Sequence, residues 1–216
     1  MSDAKKNAFG YSPFEEIANY STHALGLSLS IAGLILLLIS AIQKGDLVML
    51  ISFIIYGVSL VILYFASTMY HLMKEHRAKK IFRTLDHCGI YLLIAGTYTP
   101  IMLVSLGTTL GWGLLGTIWA LALIGIVLTL SNWKINRKIF VALYIIMGWL
   151  AVTAFQPMVN SLPYNAMAWL ITGGGLYTFG VVFYLLKSLS FHHAIWHVFV
   201  MGGSISHFIT IYFYVN

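Results

Sequence analysis

Two histidines four residues apart, His193 and His197, open the last apolar run of the chain. On a helix that spacing sets both imidazoles on one face, about one turn apart, and suits two nitrogens on one metal ion. It equally suits two interfacial histidines at a helix mouth. Ser67 and His71 repeat the four-residue step at the end of an earlier apolar run. Asp86 follows a basic loop and abuts the next run with no polar stretch beyond it. An ionisable group at that depth is expensive and usually functional, although capping a helix or pairing with Arg83 would also account for it. Glu16, Asn19 and His23 stand at i, i+3 and i+7, one polar stripe. Either that stripe lies on the membrane surface as an amphipathic helix, or it supports a metal site from behind. His207 lies about 15 Å along the helix from His197 at 1.5 Å per residue and reads as a buried, hydrogen-bonded histidine. His76 and His192 read as loop residues without a role.

The elements that must position these groups follow from composition. Of 216 residues, 60% are apolar and 8% charged, with a mean hydropathy of +0.88. A soluble domain is about a quarter charged, so the chain reads as an integral membrane protein. A spanning helix needs roughly 20 apolar residues, and seven runs qualify: 24–42, 47–70, 87–106, 111–131, 139–156, 164–186 and 194–214. The expected fold is all-α, a seven-transmembrane helix bundle forming a single domain over residues 1–216. Residues 1–23 form its N-terminal segment. There 1–11 read as disordered, and Ser12-Pro13-Phe14-Glu15 starts a short interfacial helix. Residues 1–22 lack an apolar h-region, so no cleavable signal peptide is expected. The lone Cys88 excludes an internal disulfide.

Charge sets the expected topology. Eleven of the twelve Lys and Arg fall before the first run or in alternate loops, and Lys44 alone falls on the other side. The positive-inside rule then puts the N-terminus in the cytoplasm and the C-terminus outside. The net charge of +6 reports orientation and contact with anionic lipid; a nucleic-acid surface would need a folded basic face, and none is available.

Under that topology Ser67, His71, Asp86, His193 and His197 converge in one inner-leaflet layer. Three neutral imidazoles leave one position of a tetrahedral zinc ion open for water, the arrangement of catalytic sites. Asp86 would accept a hydrogen bond from that water or orient it as a base, with Ser67 helping to hold it. Iron and manganese stay open as alternatives, but three histidines with little carboxylate favour Zn2+.

Ser67-x3-His71, Leu85-Asp86 followed by Gly89-Ile90, Ala95-Gly96-Thr97-Tyr98-Thr99-Pro100, and His193-x3-His197 followed by Phe199-Val200 and His207 together resemble the hemolysin III family. This is the bacterial branch of the progestin and adipoQ (adiponectin) receptors, in a wider set that includes alkaline ceramidases. The likeness runs nearly the whole length, and Glu16, Asn19 and His23 also match the N-terminal pattern. It implies a multi-pass protein of a bacterial plasma (inner) membrane. It also implies an inner-leaflet zinc on His71, His193 and His197, with Ser67 beside the metal and a water near Asp86. In the receptor and ceramidase relatives it implies hydrolysis of lipid amides.

Three functions are thereby set against each other. The first is a zinc-dependent intramembrane hydrolase of lipid amide or ester bonds, with membrane lipid as its partner. The second is a non-catalytic regulator or sensor of membrane lipid state with a structural zinc. The third, a cytolysin, weighs least, because a chain with seven such spans lacks the soluble form that a pore former needs. Oligomeric state is not legible in the sequence.

Overall fold

Eight α-helices make up the computed structural model, which describes residues 7–131, 133 and 136–215. They are α1 (Pro13–Lys44), α2 (Leu47–Leu72), α3 (His76–Pro100), α4 (Thr109–Leu130), α5 (Arg137–Trp149), α6 (Phe155–Ser161), α7 (Tyr164–Leu185) and α8 (His192–Tyr214). A π-helical turn, Ile101–Leu106, continues α3, and a 3-10 turn, Leu150–Ala154, joins α5 to α6. No strand occurs among the described residues. Seven segments are long and apolar enough to cross a membrane, α5 and α6 forming one of them as Lys138–Ser161.

Five of the seven spans begin before their apolar runs, while α2 and α7 begin where the runs do. Backbone hydrogen bonding inside a bilayer must be completed within the helix, and it carries on through polar residues at the ends. The largest extension is α1. The expected interfacial helix continues without a break into the first span, giving one helix of 32 residues. Its start is as anticipated: Ser12 accepts from the Glu15 N–H, Glu15 accepts from the Ser12 N–H at 2.8 Å, and Pro13 holds the first helical position. Likewise α3 starts at His76, capped by Glu75, whose carboxylate accepts from the Arg77 and Ala78 N–H groups. Those two bonds hold the Glu75 carboxyl below its ordinary range. His76 and His192 are thus first residues of helices instead of loop residues.

A membrane bundle places polar groups inward and apolar ones toward lipid, and α1 follows this along most of its length, Ser28 being an outward exception whose hydroxyl donates to the Ala24 carbonyl. Glu15, Asn19, His23, Gly26, Ser30, Gly33, Leu37 and Ala41 are buried, one helical stripe, while Leu25, Leu29, Ile35 and Ile39 face outward. That stripe packs against α2 and α8, and α2 in turn packs against α3. Gly96 of α3 lets α2 close in, since a Cβ there would run into the Ser59 hydroxyl. With 67% of its apolar window buried, against 17% for the fifth span, α3 is the central helix. Pro100 ends its regular part, having no N–H and clashing with the carbonyl four residues back. The wide turn that follows closes at Gly107, with φ 58°, whose N–H donates to the Met102 carbonyl at 3.0 Å.

Candidate metal centre

The end of α2, the start of α8 and the polar stripe of α1 meet at the basic end of the bundle. His71 lies in the last turn of α2; His193 and His197 lie one turn apart in the first turns of α8. All three are buried, at 3%, 6% and 1% exposure. Ring centroids are 5.0 Å apart for His71 and His193, 5.2 Å for His71 and His197, and 4.4 Å for His193 and His197. One ring nitrogen from each lies within 4.8 Å of the others.

Two of the rings are held by their far nitrogens. His71 Nδ1–H donates to Glu16 Oε2 at 2.7 Å, and the Asn19 amide nitrogen lies 3.4 Å from His71 Nδ1. His197 Nδ1–H donates to the Asn19 carbonyl at 3.1 Å, and Thr22 Oγ1 lies 3.2 Å away. The Thr22 hydroxyl already donates to the Ala18 and Asn19 carbonyls, so toward His197 its oxygen can only accept. Both imidazoles therefore carry the proton on Nδ1 and keep a lone pair on Nε2, as metal-binding histidines do when a neighbour sets the tautomer. His71 Nε2 has no hydrogen-bond partner among the described residues. A buried acceptor left in that state is uncommon, and a cation beside it would satisfy it. Three neutral imidazoles without a thiolate match the donor set of a zinc ion with one open position, so the residues fit the group that the sequence implies.

His23 extends the cluster. Its ring stacks on His197, centroids 3.5 Å apart and planes 20° from parallel, and its other side meets the edge of Tyr64. The α1 stripe thus packs inward against the histidine cluster.

Asp86 lies ten residues inside α3, so it does not cap the helix, and no ion pair joins it to Arg83 among the described residues. It lines a cavity of about 60 Å³ together with His23, His193 and His197. Ser67 is fully buried one turn before His71. All five residues singled out in the sequence are thus brought to one end of the bundle.

Several residues of the site were not anticipated. Residues 7–11, expected to be disordered, form an ordered turn; residues 1–6 lie outside the described residues. Asn7 Oδ1 accepts from the Phe9 and Tyr11 N–H groups at 2.9 and 3.1 Å, and its amide donates to Glu16. Tyr11 sits with its ring centroid 5.2 Å from His193 and 5.5 Å from His71. Glu15 accepts from the Phe191 N–H at 3.2 Å, tying α1 to the start of α8. Lys79, buried, pairs with Glu16 Oε1 at 2.8 Å. A signal for Lys79 existed: Lys79, Arg83 and Asp86 follow one another at i, i+4 and i+7, one helix face.

Comparison with known proteins places the chain in a family. A family model described as Haemolysin-III related matches residues 11–208. The chain belongs to the haemolysin-III family. Hemolysin-3 of Bacillus cereus is 45% identical over 201 residues, 93% of this chain and 92% of that protein. The Hemolysin-3 homolog of Bacillus subtilis (strain 168) is 44% identical over 200 residues, 93% and 94% of the two chains. More distantly, the human monocyte to macrophage differentiation factor is 29% identical over 214 residues, covering 94% of this chain and 85% of its own length. The match to the haemolysin-III model includes every residue of the histidine cluster, from Glu16 to His197.

Proposed function

We propose that this haemolysin-III protein is a zinc-dependent intramembrane hydrolase acting on the amide or ester bond of a membrane lipid at the inner leaflet of a bacterial plasma membrane. The observation that carries the reading is the convergence of three buried imidazoles, two with their Nδ1 protons engaged, with His193 and His197 lining the cavity that Asp86 also lines. His71, His193 and His197 would hold the ion. When bound, zinc supplies polarisation of a water and of a carbonyl. Asp86, helped by the Ser67 hydroxyl, takes the proton of the attacking water and passes it to the leaving nitrogen or oxygen as the acyl bond breaks. Tyr11 and Phe9 cover the cavity from the chain's N-terminal side.

A lipid substrate is supported by what adjoins the site. Leu63, Ile90, Tyr184, Trp196 and Val200 are walls shared with a second cavity of about 130 Å³. That one shares Thr97, Tyr98, Trp149, Gly174 and His207 with a third, of about 100 Å³. The series runs from the histidines into the apolar interior, a route suited to an acyl chain.

Asp86→Asn separates this function from a structural zinc that merely staples α2 to α8. In purified protein offered ceramide-like and phospholipid substrates, the variant is expected to keep zinc and fold while fatty-acid release falls by about 10²-fold or more, the usual range for a lost acid–base group. Undiminished function in Asp86→Asn, with His71→Ala strongly destabilised, would favour the regulatory reading.

A further inference from the structure

We infer that Lys79 is a positioning residue of the metal centre: its ammonium, clamped between the end of α2 and Glu16, keeps the Glu16 carboxylate where it orients His71. The inference rests on the metal reading of the three histidines. Lys79 stands in the first turn of α3 and is only 4% exposed. Its Nζ donates to the Tyr70 carbonyl at 2.8 Å, lies 3.5 and 3.4 Å from the His71 and Met73 carbonyls, and meets Glu16 Oε1 at 2.8 Å. The Tyr70 and Phe9 rings flank it, at 4.9 and 5.6 Å from their centroids. An ammonium has three protons to place. The carbonyl end of α2, negative by its dipole, together with one carboxylate, accommodates all of them. A buried charge is tolerated where it is paired and hydrogen-bonded in this way.

Glu16 is the other half of the device. One oxygen faces Lys79 and the other accepts from His71 Nδ1 at 2.7 Å. Lys79 thus touches the backbone of the ligand-bearing turn and, through Glu16, the ligand's own ring. A lysine that only capped α2 would use the carbonyls and have no need of Glu16. A lysine that only marked topology would extend into the headgroups.

Zinc affinity, measured on the full-length protein in micelles by competition with a chromophoric chelator, tests this. Lys79→Gln is expected to weaken zinc binding by roughly 10- to 100-fold, the usual effect of losing support behind a metal-binding histidine, and Lys79→Arg to recover most of the loss. Glu16→Gln should weaken binding similarly, and the double variant Glu16→Gln, Lys79→Gln no further than Glu16→Gln alone, because both act through one contact. Fully additive losses, or unchanged affinity in Lys79→Gln, overturn the inference. Nitrogen-15 spectra of the metal-free protein provide a second readout: His71 protonated on Nδ1 in the wild type, and a mixture of tautomers in Lys79→Gln. An unchanged His71 tautomer in that variant also overturns it. A wild-type chain that takes up no zinc overturns the metal reading and this inference together, whereas a zinc-binding wild type with an unaffected variant overturns the inference alone.

Discussion

Each imidazole of the cluster is committed by different neighbours: His71 by Glu16, His197 by Asn19 and Thr22 and by the flat face of His23, and His193 by the ring of Tyr11. Adjacent residues are therefore not equivalent. His193→Ala is expected to lose bound zinc, because two remaining imidazoles make an incomplete set. His192→Ala, one position away and directed elsewhere on the helix, should retain zinc near wild-type stoichiometry. Metal analysis of the two purified variants checks this. The pairs His193/His197 and Ser67/His71 were legible because helix periodicity is a local property, repeated in every turn. The roles of Glu16 and Asn19 were not. Their partners stand 55 and 178 residues away in the chain, at His71 and His197, and an amphipathic stripe has the same spacing whichever surface it meets.

Among the helices, α8 begins under strain. Phe191, its N-cap, has φ 58° and ψ 15°, the left-handed region, and is the sole non-glycine residue with positive φ among the described residues. That conformation costs an L-residue roughly 1–2 kcal/mol, and the Glu15 contact to its N–H helps hold it. Phe191→Gly is expected to raise the thermal unfolding midpoint of the metal-free protein, because it relieves the backbone and removes a ring already 42% exposed; a lowered midpoint would show the ring to matter more than the backbone. This strained turn directly precedes His193 and His197, which meet His71 from the first two turns of α8. Nothing in Ser190-Phe191-His192 announces it, since neither glycine nor asparagine marks the turn. By contrast Pro100 and the Ser12 capping box acted where they stood, because a missing N–H and a side-chain cap operate within four residues of themselves.

For the molecule as a whole, the proposed metal joining α2 to α8 would tie together helices distant in the chain, and a ligand that binds only the folded state stabilises it, by about 2.7 kcal/mol at a hundredfold excess over Kd. Chelation is accordingly expected to lower the unfolding midpoint of the wild type, zinc to restore it, and neither to move His193→Ala; differential scanning in micelles reads all three. Orientation has its own test. A green fluorescent protein fused to the N-terminus should fluoresce and alkaline phosphatase fused to the C-terminus should be active, as the loop charges require.

Composition and hydropathy alone determined the class, the seven spans and the candidates for chemistry, because membrane insertion is decided by apolar length and helical faces by a fixed period. Only the tertiary structure decided that α1 runs unbroken, that its stripe faces His71 and His197 and not the membrane surface, and that Lys79 turns inward to Glu16. Those outcomes depend on which helix lies beside which, and hence on contacts between residues that no local pattern connects.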